Sequence, residues 1–165
     1  MQYDWAPEEL QQRRRLVQFW REERDNKIVC AFQPVPQESY RGRVNRISPF
    51  CIVSCIFWES QRQCYMTSVD LVVLLEFLLN IRMSMEEKNR VRRNLQIYKP
   101  VTAGKNRDET MDIYRLIMSF PSPKPRHIEK DIKVFNWNTV PLALQKVVTK
   151  YHTSVLKKKQ KHQEQ

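Results

Sequence analysis

Residues 84–107, SMEEKNRVRRNLQIYKPVTAGKNR, hold the densest group of side chains suited to recognition chemistry. Arg90, Arg92 and Arg93 carry planar forked donors, and Asn89 and Asn94 carry amides. An Arg fork can bridge two acceptors on guanine, and an Asn amide matches the donor–acceptor pair of adenine. Lys88, Lys99, Lys105 and Arg107 add point charge, so residues 82–107 contain eight Lys/Arg against two Glu, a net of +6. A face that neutralises several phosphates binds nucleic acid with a steep salt dependence. Lys124 and Arg126, in the PSPKPR stretch, complete the candidate DNA-contacting set. Further basic clusters stand at Arg13, Arg14 and Arg15, at residues 41–46, and in the lysine-rich residues 157–161.

Other chemistry is poorly provided for. Cys51 and Cys55 lie four apart on an expected strand, about 13 Å in extended geometry, whereas zinc gathers its ligands within a few ångströms. With Cys30 and Cys64 they read as small, buried packing residues. His127, His152 and His162 stand beside no Ser or Cys in a nucleophile-elbow context. The two glycines, Gly42 and Gly104, are too few for a Gly-rich phosphate loop. The expectation is no enzyme, no metal, no cofactor and no small-molecule substrate.

The elements that must position the basic stretch are legible on either side of it. Ser84 with Glu87 three residues on forms a capping box, launching a helix over about 85–96. Before it, Thr67 with Asp70 caps a helix over 69–79 that is apolar nearly all round, the mark of a core helix. A buried helix, a tight connection and a basic capped helix outline a helix-turn-helix whose second helix faces DNA. Residues 50–58, FCIVSCIFW, read apolar on both faces and predict a central strand, with residues 59–62 turning into a hairpin partner at 63–66. Residues 27–35 read as a strand stopped by prolines, and 37–49 as a loop.

Residues 7–24 read as a docking helix with Arg13, Arg14 and Arg15 facing solvent. Residues 108–120 return to helical period after a short extended segment, and residues 121–126 are held irregular by three prolines. Residues 127–137 alternate as an edge strand, and a last helix follows a cap at Asn138 or Thr139. The fold class is α+β: a small, mostly antiparallel sheet with packed helices, including a helix-turn-helix or winged-helix-like unit. One globular domain spans 1–155, and residues 156–165 form a basic disordered tail.

Composition agrees with that outline. The chain of 165 residues is 41% hydrophobic and 10% aromatic, with a formal net charge of +11 and a pI near 9.7. Such a balance favours polyanionic partners, double-stranded DNA first. The opening MQYDWAPEEL lacks a signal-peptide pattern. The apolar run 71–79, broken by Glu76, falls short of the ~20 residues a membrane span needs. A soluble nuclear protein with reduced thiols and no membrane partner is expected.

Several long stretches resemble the domain of the fungal medusa-type developmental regulators. They are RRRLVQFWR, SCIFWESQRQCYMTSVDLVVLLEFLL, EEKNRVRRNLQIYKPVT and LIMSFPSPKPRHIEKDIKVFNW, and with the last helix they cover roughly residues 10–152. The resemblance implies sequence-specific DNA binding and transcription regulation in the nucleus during fungal development and conidiation, with other nuclear regulators as expected partners. Residues 89–95 are also similar to the recognition helix of forkhead-type winged helices, through Asn89, Arg92, Asn94 and Leu95. That likeness implies Asn89, Arg92 and Arg93 facing bases, Leu95 locked in the core, and a wing-like strand from residue 99. The alternative reading is a protein-interaction module that docks an acidic nuclear partner on the SPKPR loop and the face of Arg13, Arg14 and Arg15. If the cysteines only pack, excess chelator leaves the melting temperature unchanged; unfolding in chelator with stoichiometric zinc would identify a structural metal instead.

Overall fold

The computed structural model describes residues 3–40, 49–126 and 131–163. Six strands form one antiparallel sheet: β1 (Arg14–Arg24), β2 (Lys27–Val35), β3 (Phe50–Trp58), β4 (Gln63–Thr67), β5 (Val101–Ala103) and β6 (Ile132–Asn136). Their spatial order is β2-β1-β3-β4-β6-β5. Among the described residues five α-helices accompany them: α1 (Pro7–Gln12), α2 (Ser68–Leu79), α3 (Met85–Asn94), α4 (Met111–Ser119) and α5 (Val140–Gln163). The α+β class with an antiparallel sheet is as the sequence predicts.

β3 is central, paired with β1 on one side and β4 on the other. Successive side chains on a strand point to opposite faces. Val53 and Cys55 therefore enter a core shared with α2, α3 and α5, while Ile56 and Trp58 enter a second core under α4. α2 starts where sequence chemistry says: the Thr67 hydroxyl accepts from the Asp70 amide at 3.2 Å. The Asp70 carboxylate in turn accepts from the Ser54 amide at 2.9 Å, inside the core. One residue thus joins the helix's first turn to the central strand.

The expected helix over 7–24 is wrong beyond Gln12. Arg13 adopts φ 55° and ends α1 in the left-handed region, after which β1 pairs with β2 on one side and β3 on the other. Local helix formers lose here to two ladders of strand pairing. Consequently Arg14 and Arg15 are 2% and 5% exposed rather than solvent-facing. Being adjacent on a strand, they serve opposite faces. Arg14 donates to the carbonyls of Pro121 (3.1 Å) and Pro123 (2.7 Å) and to Gln37 Oε1 (2.9 Å), and lies over the Phe120 ring. Arg15 pairs with Glu9 at 2.8 Å, donates to the carbonyls of Tyr3 and Asp4, and lies over Trp5. Only Arg13 of the three is exposed, and it pairs with Glu59.

Three smaller readings are corrected. β6 lies inside the sheet, between β4 and β5, because three-residue β5 takes the edge position. Asn138 and Thr139 belong to a 3-10 turn, Trp137–Thr139, that precedes α5, and Asn136 caps that turn, accepting from the Asn138 amide at 2.9 Å. α5 carries helix through residues 156–163, read above as disordered tail; Lys and Gln are good helix formers and neither Gly nor Pro interrupts. The basic cluster at 41–46 and the strand's expected start at 127–130 lie outside the described residues.

Burial depresses the Arg14 pKa, with Asp70 opposing, and the guanidinium donates to two carbonyls and an amide oxygen. Arg14→Ala should therefore cost about 2–3 kcal/mol, the scale of leaving buried acceptors unpaired. Arg14→Lys should rescue little, since an ammonium lacks the fork that reaches several acceptors. Urea unfolding of both variants checks this.

Candidate nucleic-acid interface

The α2–α3 connection is built by a residue whose role the sequence did not declare. α2 ends where Asn80 turns left-handed at φ 53°. Glu76, the lone acid in the apolar run, then accepts from the Met83 amide at 3.0 Å and pairs with Lys88 at 3.7 Å. One carboxylate therefore holds both the linker and the first turns of α3. The box expected at the start of α3 is present: the Ser84 hydroxyl accepts from the Glu87 amide at 3.1 Å, and Glu87 accepts from the Ser84 amide at 3.3 Å. Val91 and Leu95 anchor the helix in the core.

These anchors set which side chains face out. At 100° per residue, Met85, Glu86, Asn89, Arg90 and Arg93 share one exposed arc opposite Val91, and exposed Gln96 follows in the turn after the helix. Three of the five are Arg or Asn. Arg90 lies 3.7 Å from Glu86, an exposed i,i+4 pair of small energetic weight. Arg82, Arg93 and Lys99 are without an ion-pair partner among the described residues, and Arg82, Arg93 and Lys99 are exposed. The helix is shorter than 85–96: it tightens into a 3-10 turn over Leu95–Tyr98.

The sequence-derived set is brought together only in part. Asn89, Arg90 and Arg93 share the arc, and Lys99 follows at its end. Lys88 and Arg92 are half-buried at the margin, Lys88 held by Glu76 and Arg92 donating to Asn89 Oδ1 at 3.3 Å. Asn94 is half-buried beside them. Lys105 and Arg107 stand in the loop after edge strand β5, Arg107 3.8 Å from Asp131. Lys124 and Arg126 belong to the proline-rich loop on the opposite face of the sheet, where Arg126 donates to the Met118 carbonyl at 3.2 Å. That separation follows from α4, which packs on the second core.

A family model described as "Domain of unknown function (DUF7082)" matches residues 1–148. The chain belongs to the DUF7082 family. No curated protein and no solved structure matches it. The DUF7082 match takes in all six strands, α1 to α4 and the first turns of α5, so it includes the whole α3 surface.

The cysteines of this DUF7082 domain divide. Cys51, Cys55 and Cys64 are buried, and a hydrogen bond to Cys64 together with burial pushes the Cys55 thiol up. Cys30 is exposed, contrary to the expectation of packing, because β2 is an edge strand. Among the described residues no three His, Cys, Asp or Glu converge as metal ligands, and no helix is long and apolar enough to cross a membrane.

Glu76→Ala frees the Met83 amide and Lys88 together, and should cost about 1–3 kcal/mol, the range for a buried partner left unpaired. The loss should be local. Amide exchange across α3 is expected to accelerate well before that of β3, as read by hydrogen-exchange mass spectrometry.

Proposed function

We propose that this domain binds double-stranded DNA, with α3 laid in a major groove, and acts as a sequence-specific regulator of transcription in the nucleus. The single observation that carries the reading is the exposed arc of α3, where Asn89, Arg90 and Arg93 stand together above two buried anchors, with Gln96 exposed in the turn beyond. Forked and amide side chains on a fixed helix are what base-edge readout needs. A net charge of +11 supplies the sequence-independent attraction to phosphate. The resemblance to medusa-type regulators supports a setting in fungal development and conidiation. In a helix-turn-helix description α2 is the supporting helix and α3 the recognition helix. A winged-helix description assigns β5 as the wing-like strand, although residues 104–131, including α4, separate it from its partner β6.

This reading shifts weight from Arg92 to Arg90, since Arg92 is half-buried beside Asn89. Replacing Arg90 and Arg93 by Ala should weaken binding by about 1–3 kcal/mol for each base-contacting Arg, while circular dichroism stays native. Arg92→Ala should cost less. Gel shifts on sites selected from a randomised DNA pool measure both, and unchanged binding of the double variant would refute the proposal. On random duplex, log affinity should fall linearly with log salt, in proportion to the phosphates neutralised.

A further inference from the structure

Edge strand β2 and helix α5 border an open groove of about 630 Å³. Its floor is Phe19 and Phe32, stacked with ring centroids 5.3 Å apart. Ile28 lines it from β2, and Leu144 and Val148 form the α5 wall. α5 packs against α2 rather than β2, which leaves the gap open.

The backbone of β2 is directed into the same place. β1 and β2 are joined by a two-residue turn, Asp25 and Asn26, with φ of 51° and 61°. Positive φ at both positions is the type I′ geometry. In such a hairpin the closing pair, Arg24 and Lys27, exchanges both backbone hydrogen bonds, and pairs then alternate along the ladder. Ile28, Cys30, Phe32 and Pro34 face Glu23, Arg21, Phe19 and Val17 at the non-bonded positions. Their N–H and C=O groups therefore point away from β1, toward an edge that no strand among the described residues covers. Pro34 fits this phase, because its missing donor costs no bond to β1. The side chains of Ile28, Cys30 and Phe32 lie on the groove's face of the sheet. A strand added here gains main-chain bonds from residues 28–32 and sends alternate side chains into the groove, the geometry of strand addition.

Charge selects the occupant. The groove lining contains Lys27 and no carboxylate; Glu22 and Glu23 nearby are each paired with an arginine. Lys146 and Lys150 stand exposed on α5. A second copy would bring its own +11 to this edge, whereas an acidic segment is attracted. We propose that the β2 edge receives an extended acidic segment of a partner protein, with apolar residues at every second position, as a seventh strand of the sheet.

Selection of random displayed dodecapeptides against the full chain should enrich net-negative sequences with alternating apolar residues. A selected peptide, followed by fluorescence anisotropy, should bind at least tenfold more weakly to Cys30→Pro, which removes an outward donor while the bonded pairs to β1 on either side remain, with circular dichroism confirming that the variant keeps its fold. Val148→Glu, which places a carboxylate in the groove, should weaken it comparably, independently of any backbone change. In the wild-type complex the amides of Ile28, Cys30 and Phe32 should exchange at least tenfold more slowly. Several outcomes would overturn the proposal: no enrichment, enrichment of basic peptides, or groove binding that leaves those amides unprotected, as an inserted helix would. So would protection that rises with protein concentration alone, or that duplex DNA confers.

Discussion

Burial of β3 on both faces is the constraint from which the architecture follows. A strand apolar on one side can face water with the other; FCIVSCIFW cannot, and needs a covering layer on each side. α2, α3 and α5 supply one layer and α4 the other. Each layer must also be tied to the sheet where its ladder ends. β4 pairs with β3 only from Ile56 to Trp58, and the Ser54 amide beyond that point is taken by Asp70. A backbone donor left unpaired there would cost as much as a lost hydrogen bond. The start of α2 is thus fixed by the end of a strand pairing.

Arg14 and Arg15 extend the same principle to the periphery. Strand alternation sends neighbouring guanidinium groups to opposite faces, where one gathers the carbonyls of the proline-rich loop and the other gathers the segment before α1. Arginine suits this work because its charge is delocalised and its donors are fixed in a plane. Net charge is therefore a poor map of the surface. Of the arginine triplet, two members are structural, and α3 and α5 carry exposed basic residues instead.

α3 illustrates how little a short helix owes to its own propensity. Ten residues are marginal in water. Here the helix is held at three points: the Ser84/Glu87 box at its start, Glu76 across the connection, and Val91 with Leu95 in the core. Those anchors decide which arc is presented. They also demote Lys88 and Arg92 to the margin, although nothing in their side-chain chemistry distinguishes them from Arg90 and Arg93.

Local physics determined much of this protein from sequence alone. The caps at Thr67 and Ser84, the two-faced strand at 50–58, the hairpin after it and the core helix 68–79 each depend on contacts within a few residues or on a simple period, so they are legible without a partner. The α3 basic helix is legible for the same reason. The tertiary structure decided the rest, because the deciding partners are far away in sequence. Residues 14–20 are a strand because β3, some thirty to forty residues on, pairs with them, the hairpin with β2 carries the strand on to Arg24, and Arg14 is buried because a loop more than a hundred residues away supplies its acceptors. β5 was too short to carry a period and took an edge position only because β6 was there to pair. Cys30 differs from the other cysteines through strand order, and strand order is set by pairing between segments, which no local pattern encodes.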